Sequence, residues 1–302
     1  MDTEENTISS PANVAEQENK YKDYNVRPDV LNSDDIMAMV PKLKGHKKMV
    51  EKVMHLFMFD EVNRVHGAWC HDPGPAFARH LIDDEFHTPL RVDNEDVLAR
   101  FKEGAFITVS NHPFGSIDGI ALIALVTKYR PEYKVMVNMI LGKISAMGPN
   151  FITVDPSSSA DSDKRKVSVN GIREALRQLK EGEPLGFFPA GAMSKTDRHN
   201  FLVDREWQPS VLQIIAKAKV PVIPIYFHGN NSWWFNFWGH VCWPLRSLLL
   251  PRELFNHKKN HEMHISVGDP IMPDKQAEFK GNPEALGKYL REQTYLLAEK
   301  YK

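Results

Sequence analysis

The stretch AFITVSNHPFGSIDG at residues 105–119 decides the fold class of this chain. Its apolar start, Ala105–Ser110, predicts a buried strand, and the residues Ser116–Tyr129 predict a helix. Pro113 and Gly115 between them indicate a turn, with Ser116 as the expected helix cap. A buried strand that turns at once into a helix is typical of α/β folds.

The same alternation continues along the chain. Strands are predicted at Tyr133–Asn138, Phe151–Val154, Leu185–Pro189, Val222–Phe227 and Met263–Val267. Helices are predicted at Glu95–Phe101, Val169–Leu179 and Ser210–Ala218, and from Pro283 with Asn282 as its cap. This order predicts an α/β fold with a mixed, largely parallel sheet flanked by helices. Over 302 residues we expect a disordered acidic tail (1–33), an N-terminal helical region (34–93) and one α/β domain (94–302).

The charge is distributed unevenly along the chain. The formal net charge is −1, but residues 1–36 carry nine acidic and three basic residues, so the remainder has a net charge of +5. A mildly basic body is compatible with an anionic substrate or an anionic membrane surface. The charge is too small for a nucleic-acid-binding protein, and no matching motif is present.

The cysteine count and the apolar runs bear on location. Cys70 and Cys242 are the two cysteines, which excludes a disulfide framework and favours a reducing compartment. The first residues show no secretion-signal pattern, and no run of about 18 apolar residues occurs. We therefore expect a cytoplasmic protein. Where it meets a membrane, we expect it to lie on the inner face of the cytoplasmic membrane.

Two segments have two interpretations each. Apolar residues between Met49 and Phe57 fall on one helix face surrounded by lysines, so this helix either packs on the core or lies on a membrane. Four of the six tryptophans fall in residues 232–250, including Trp233, Trp234 and Trp238. These rings form either a core patch or a membrane contact, and Arg246 and Arg252 could then face lipid phosphates.

His112 and Asp118 are the candidate catalytic pair. His112 follows the predicted strand 105–110, in the crevice where open α/β sheets bind ligands. Asp118 falls in the first helical turn, where the helix dipole favours an ionised carboxylate. A carboxylate beside an imidazole fixes its tautomer and stabilises the imidazolium, as is needed to deprotonate an alcohol. A histidine that merely bonds to a turn is the structural alternative.

The residues Asn111, His112 and Asp118 resemble the first motif of the glycerolipid acyltransferase superfamily, of the lysophosphatidic acid acyltransferase type. The superfamily has four residues between histidine and aspartate, whereas this chain has five. The subgroup of haemolysin-like proteins, which includes amino-acid-lipid O-acyltransferases, reads NHPFGGLDG, and this chain differs from that string only at Ser116 and Ile117.

Three further motifs follow in the family's order. FPAGAMS at residues 188–194 resembles the pattern Phe-Pro-Glu-Gly-x-x-Ser, with Ala190 in place of glutamate, as in the haemolysin-like subgroup. VPVIPI at 220–225 is similar to the fourth motif, although a buried strand explains it equally well. FITVD at 151–155 resembles the second motif loosely, with Pro156 where the family has arginine.

The resemblance implies an acyltransferase that moves a fatty acyl group from an acyl-carrier-protein or coenzyme A thioester to a hydroxyl of a lyso-lipid. His112 would be the base and Asp118 its partner, without a resident cofactor or metal. The implied substrate-binding residues are Asn111, Gly115, Pro189, Gly191, Ser194, Lys195 and Arg198. Two alternatives stay open: a thioesterase-like hydrolase that uses the same dyad, and a non-catalytic membrane-associated member of the family.

Metal sites are not predicted. In HEMH at residues 261–264 the histidines are three positions apart, whereas the zinc-protease motif requires four. His66, Cys70 and His71 lack nearby partners in the sequence. We therefore expect chemistry carried by side chains alone.

Overall fold

Strand β2 (Ile107–Ser110) lies at the centre of the sheet and is buried at every position. The computed structural model describes Tyr21 and residues 24–155, 162–196, 202–241 and 243–301, without the side chains of 162–165, 240 and 243–245. Within these residues seven strands form one sheet in the order β1-β9-β8-β2-β5-β3-β4. The seven strands are β1 (Leu90–Asp93), β2, β3 (Lys134–Asn138), β4 (Phe151–Val154), β5 (Leu185–Phe187), β8 (Val222–Phe227) and β9 (Met263–Val267).

The sheet is largely parallel, as predicted. Strands β8, β2, β5, β3 and β4 run in one direction, and β9 pairs antiparallel with β8. Strand β1 pairs parallel with β9, so these two strands form a reversed edge. Short strands β6 (Lys195–Thr196) and β7 (Leu202–Val203) form a separate antiparallel pair.

Helices cover both faces of the sheet. The helices before β2 are α1 (Ser33–Met39), α2 (Lys47–Leu56), α3 (Phe59–Trp69), α4 (Pro75–Arg79) and α5 (Asp96–Arg100). A π-helical turn (His80–Glu85) extends α4. The later helices are α6 (Ser116–Val126), α7 (Ser162–Lys180), α8 (Pro209–Ala218), α9 (Trp233–Val241), α10 (Trp243–His257), α11 (Pro273–Ala277) and α12 (Pro283–Lys300). Short 3-10 turns occupy Pro41–Leu43, Met139–Lys143 and Ser145–Asn150.

Two apolar clusters lie on opposite faces of the sheet. Because side chains alternate along a strand, Ile223 and Phe227 of β8 belong to the cluster with α6, whereas Val222 belongs to the cluster with α8 and α12. Helix α6 is buried from Ile117 to Val126, which explains its continuous apolar sequence. The result is a three-layer arrangement of helices, sheet and helices.

The segment before α1 is attached to the body through its backbone. Asn63 Oδ1 accepts hydrogen bonds from the backbone N–H groups of Val30 (2.9 Å) and Leu31 (3.1 Å). Arg27 Nη2 donates to Asp35 Oδ2 at 2.7 Å, and Asp35 also closes a capping box with Asn32 at the start of α1. Residues 1–20, most of the expected acidic tail, lie outside the described residues.

Most predicted elements are confirmed within a few residues, and five were missed. Strands 151–154, 222–227 and 263–267 have the predicted bounds, and Asn282 Oδ1 caps α12 by accepting from Glu284 N and Ala285 N. Sequence analysis missed β1, the β6–β7 pair and the helices α9, α10 and α11. Among the described residues, no helix combines the length and apolarity needed to cross a bilayer.

Candidate active site

The candidate site forms where β2, β5 and β8 end. These strands are parallel, so their carboxyl ends meet at one edge of the sheet, where Asn111 follows β2 and Phe188 follows β5. The side chain of Asn111 is fully buried and is held by the backbone of Phe227, because its Nδ2 donates to the carbonyl oxygen (2.9 Å) and its Oδ1 accepts from the N–H (2.7 Å). Asn111 therefore joins β2 to β8, and its contact with a substrate stays a prediction.

His112 and Asp118 are in direct contact. Nδ1 of His112 lies 2.9 Å from Oδ2 of Asp118, although five residues separate them. A carboxylate accepts hydrogen bonds, so Nδ1 carries the proton and Nε2 keeps its lone pair. The imidazole remains 16% exposed while the carboxylate is fully buried, and the Phe188 ring lies 4.4 Å from the imidazole between centroids. The side chains thus present Nε2 as the basic atom of an accessible imidazole.

Asp118 is held by backbone as well as by His112. Its Oδ2 accepts from Phe114 N at 2.9 Å and from Gly115 N at 3.1 Å. Burial raises the pKa of Asp118, whereas the hydrogen bonds from His112, Phe114 and Gly115 act in the opposite direction. The expectation that the helix start alone keeps this carboxylate ionised is therefore incomplete, because desolvation opposes it.

Gly115 forms the turn that lets the two side chains meet. It precedes α6 with φ 93° and ψ −137°, a left-handed conformation that favours glycine. A Cβ at this position would lie 2.8 Å from Met193 Sδ and 3.1 Å from Leu250 Cδ1. Gly115, and not Ser116 as predicted, occupies the cap position, and the turn is fixed further by Asn231, whose Nδ2 donates to Pro113 O at 2.8 Å.

Ser194 connects the third motif to His112. Its backbone N–H donates to His112 O at 2.8 Å, and its Oγ accepts from His112 N at 3.3 Å. Ser194 Oγ donates in turn to Asp204 Oδ1 at 2.5 Å, and burial raises the pKa of that carboxyl group. Ser194 is fully buried and holds the histidine backbone, and its contact with a substrate stays a prediction. Asp204 has no signal in the sequence motifs, because it lies beyond them in an unpatterned segment.

The loop after β5 is closed by Gln208. Gln208 N donates to Pro189 O at 2.8 Å, and a Cβ on Gly191 would lie 1.9 Å from Gln208 Nε2. The protein's own Gln208 side chain thus approaches Gly191 closely, and a contact of Gly191 with a substrate stays a prediction. Gly191 N donates to Phe188 O at 2.9 Å, so this N–H is already used inside the loop and does not point to an oxyanion.

The basic residues near the site differ in their placement. Arg246 is buried and donates from Nη2 to Ser194 O at 2.7 Å, and burial lowers its pKa to about 10. It therefore supports the third motif from inside and does not face lipid, contrary to the prediction. Lys195 is exposed on β6, Arg252 donates from Nη1 to Leu56 O at 3.2 Å, and Arg198 lies outside the described residues.

Helix α9 carries an exposed aromatic surface. Trp233, Trp234 and Trp238 are 64%, 62% and 38% exposed, and Phe237 packs between Trp233 and Trp238. Among the described aromatic rings of this helix, only Phe235 is buried, 3% exposed. Of the two interpretations left by the sequence, the structure supports the surface patch for these rings.

Side chains able to hold a metal lie apart from this pair. Within the described part of the chain, one group of three such residues is present, formed by Asp93, His228 and His264. It includes neither His112 nor Asp118. The sequence candidate His66 is buried, with Nδ1 hydrogen-bonded to Pro28 O and Nε2 accepting from Ala146 N, so both of its ring nitrogens are engaged.

Comparison with known proteins agrees with this geometry. Residues 67–302 match a protein family described as Acyltransferase. The chain belongs to this acyltransferase family, within the lysophospholipid acyltransferase-like superfamily, and it is an enzyme that transfers acyl groups.

Two relatives and one solved structure are similar over most of the chain. The lyso-glycine lipid O-acyltransferase of Bacteroides thetaiotaomicron is 28% identical over 204 residues, covering 65% of this chain and 71% of the relative. The enzyme of the same name from Phocaeicola vulgatus is 24% identical over 203 residues, covering 65% and 69%. The 1-acyl-sn-glycerophosphate (LPA) acyltransferase structure from Thermotoga maritima has a TM-score of 0.49 at 17% identity, covering 76% of this chain and 78% of that one.

Proposed function

We propose that this chain transfers a fatty acyl group from a thioester donor to the hydroxyl of a lyso-lipid acceptor, with His112 as the general base. The contact of 2.9 Å between His112 Nδ1 and Asp118 Oδ2 carries this proposal. It leaves Nε2 unprotonated on an imidazole that is still accessible, as a general base requires. The similarity to two lipid O-acyltransferases supports a lipid acceptor.

The reaction would be a direct transfer. Nε2 of His112 takes the proton of the acceptor hydroxyl while the oxygen attacks the thioester carbonyl carbon. The tetrahedral intermediate then collapses, the new ester forms, and the thiolate leaves and takes the proton from Nε2. Asp118 stabilises the imidazolium between these two steps, because its Oδ2 accepts from Nδ1. Acyl-carrier protein or coenzyme A would supply the acyl group.

The acceptor we propose is an amino-acid lipid with a free hydroxyl, such as an N-(3-hydroxyacyl) amino acid. Ala190 stands where the wider superfamily has a glutamate, which argues against a glycerol-phosphate acceptor. Both relatives named above are lyso-glycine lipid O-acyltransferases, which supports an acceptor with one carboxylate. Lys195 and Arg198 are the basic residues we assign to that carboxylate.

We propose that the enzyme works as a peripheral protein at the inner face of the cytoplasmic membrane. The rings of Trp233, Trp234 and Trp238 form a continuous exposed surface on α9, and tryptophan favours the water–lipid boundary. Arg252, on the neighbouring helix α10, is placed to add positive charge near an anionic lipid surface. Acceptor and product would then stay in the membrane while the acyl donor arrives from solution.

The test is acyl transfer by the His112→Ala variant. The rate should fall by about 10² or more, because general-base catalysis contributes a factor of that size. Asp118→Asn should also lower the rate, since the amide cannot balance the imidazolium charge. His55→Ala is the matched control, because His55 Nδ1 also lies close to a carboxylate, 2.6 Å from Asp60 Oδ2, but on the surface. Activity of His112→Ala within threefold of the unmodified protein would contradict the proposal.

The acceptor is tested by direct competition. An N-(3-hydroxyacyl) glycine and a lysophosphatidic acid are offered at equal concentration with one acyl donor, and the products are resolved by mass spectrometry. We expect the diacylated amino-acid lipid to predominate. A predominance of phosphatidic acid would overturn the acceptor assignment, and release of free fatty acid without either product would indicate a thioesterase.

A further inference from the structure

Three side chains with metal-binding atoms meet at the reversed edge of the sheet. His228 directly follows β8, His264 lies in β9, and Asp93 ends β1. His228 N donates to His264 O at 2.9 Å, and Asp93 is the register partner of Ser266, two residues beyond His264. Side chains two residues apart on a strand point to the same face, so the three donors share one face. Their candidate ligand atoms all lie within 4.8 Å of one another.

One imidazole is hydrogen-bonded directly to the Asp93 carboxylate, and the other is connected to it through Ser266. His264 Nε2 donates to Asp93 Oδ2 at 2.5 Å, and Ser266 Oγ donates to the same oxygen at 2.7 Å. Since the Ser266 hydroxyl proton is used in that bond, His228 Nε2 donates to Ser266 Oγ, at 2.7 Å. The two rings are stacked with centroids 3.9 Å apart and planes at 10°. All three side chains are only partly buried, so the group can be reached from solvent.

We propose that Asp93, His228 and His264 bind one divalent transition-metal ion, with Zn²⁺ the best match. Two imidazole nitrogens and one carboxylate oxygen are a donor set that Zn²⁺ takes in proteins, with water in the fourth position. Zinc ligand bonds of about 2.0–2.2 Å place neighbouring donors about 3.3 Å apart. The Asp93–His264 pair would therefore open by somewhat less than about 1 Å. The Nε2 protons would move to Nδ1 or leave, and Ser266 would remain as the hydrogen-bond donor that orients Asp93.

This site is distinct from the acyl-transfer centre. His228 follows Phe227, whose side chain belongs to the α6 side of the sheet together with Phe188 and His112. His228 points to the opposite face, the side of Tyr226. The ion would connect β1, β9 and the end of β8 through its three ligands. It would thereby stabilise the backbone position of Phe227, to which Asn111 is hydrogen-bonded, without contacting the reacting atoms.

The experiment measures metal binding by the full chain, free of any histidine tag and stripped with a chelator. Calorimetric titration with Zn²⁺ should give one equivalent bound, and Co²⁺ should give the visible absorption of a four-coordinate site. His264→Gln and Asp93→Asn should each weaken Zn²⁺ binding by about tenfold or more. Zn²⁺ should also raise the Tm of the unmodified protein and have little effect on that of the variants.

Two control variants separate a metal site from a hydrogen-bonded network. Ser266→Ala removes a member of the network that is not a ligand, and it should keep the affinity within a few fold. His80→Gln removes a surface histidine whose Nδ1 lies 2.6 Å from Asp84 Oδ2, and it should have no effect. Binding of less than a fifth of an equivalent by the unmodified protein would overturn the proposal. The proposal would also be overturned if the His264→Gln variant bound Zn²⁺ with the same affinity as the unmodified protein. If a variant does not fold, the Co²⁺ spectrum of the unmodified protein shows whether a four-coordinate site is present.

Discussion

Ser194 and His112 are joined by two hydrogen bonds, one in each direction. Ser194 N donates to His112 O at 2.8 Å, and His112 N donates to Ser194 Oγ at 3.3 Å. Two motifs that lie 82 residues apart in the chain therefore form one structural unit. The histidine backbone is fixed by the third motif, and its imidazole is fixed by Asp118.

Ser194→Ala should lower kcat more than it changes KM. The variant loses the Oγ that accepts from His112 N. The same Oγ donates to the buried Asp204 Oδ1 at 2.5 Å, so that carboxylate oxygen also loses its donor. An unsatisfied buried polar group costs about 1–3 kcal/mol, so the free energy of unfolding should fall by about that amount. Steady-state kinetics and chemical denaturation measure the two effects.

Ser168→Ala serves as the control for that variant. Ser168 Oγ also bridges backbone atoms, since it accepts from Asp155 N at 3.1 Å and donates to Asp155 O at 3.0 Å, but it does not contact His112. Its kcat should stay within about twofold of the unmodified enzyme. A Ser194→Ala enzyme with unchanged kcat would show that the link to His112 has no catalytic consequence.

Gly115→Ala should be far more damaging than the same change at Gly104. Both glycines have a positive φ, 93° and 77°, so both variants share the backbone strain. Only at Gly115 would the new Cβ meet other atoms, at 2.8 Å from Met193 Sδ; at Gly104 nothing lies within 4 Å. Differential scanning calorimetry and acyl-transfer assays should show a lower Tm and lower activity for Gly115→Ala. Equal Tm values for the two variants would contradict this assignment.

Replacing Trp233, Trp234 and Trp238 together with serine should weaken membrane binding without unfolding the protein. The rings are exposed, so their loss removes little buried area. Sedimentation with anionic vesicles should fall, and the part of binding that remains should be sensitive to salt, since screening at ~0.1 M acts over about 10 Å. The double variant Leu176→Ser and Leu296→Ser, which removes exposed apolar side chains elsewhere, should bind as the unmodified protein does. If the triple variant cosedimented with vesicles as well as the unmodified protein does, these three tryptophans would not be the membrane contact.

Asp35→Asn should destabilise the protein at neutral pH but not in strong acid. The Arg27 side chain bonded to Asp35 holds the pKa of that carboxyl group below its usual value of 3.8, despite some desolvation. A carboxylate whose pKa is lower in the folded than in the unfolded state stabilises the fold fully at pH values above its unfolded-state pKa. That stabilisation is lost as the pH falls through its folded-state pKa. The contribution should be about 1 kcal/mol or a little more, reduced by solvent screening because the Arg27 side chain is 41% exposed.

The measurement is the free energy of unfolding of both proteins from pH 7 down to about pH 2, with urea as denaturant. The difference between them should shrink below about pH 4. Asp34→Asn is the neighbouring control, because Asp34 is 72% exposed and lies 3.6 Å from Lys47. A difference between unmodified protein and Asp35→Asn that stays constant with pH would rule out the proposed linkage.

Strands and caps were predictable because their signals are local. Phe151–Val154 and Val222–Phe227 are short apolar runs bounded by breakers, and Asn282 precedes Pro283 at the start of α12. The meeting of His112 with Asp118 also follows from a local turn, and its residues were found from the motif. The class of fold and the contact between His112 and Asp118 could therefore be predicted from the sequence.

The rest of the site depends on contacts that no local pattern encodes. Asp204 accepts from Ser194 Oγ although it lies ten residues further along the chain, and Arg246 donates to Ser194 O from a helix 52 residues further along. The internal contacts of Asn111 and Gly191 were likewise not predicted from the sequence. Their partners, Phe227 and Gln208, lie on elements whose packing the sequence does not specify.

Ala190 bears on whether this fold could accept a glutamate at that position. Its side chain is 4% exposed and belongs to the apolar cluster with Phe187 and Trp207. A glutamate introduced here would place a charge among hydrocarbon side chains, at a cost of several kcal/mol unless a partner were supplied with it. Ala190→Glu alone should therefore not be tolerated. The side chains around this position would have to change before, or together with, the introduction of the carboxylate.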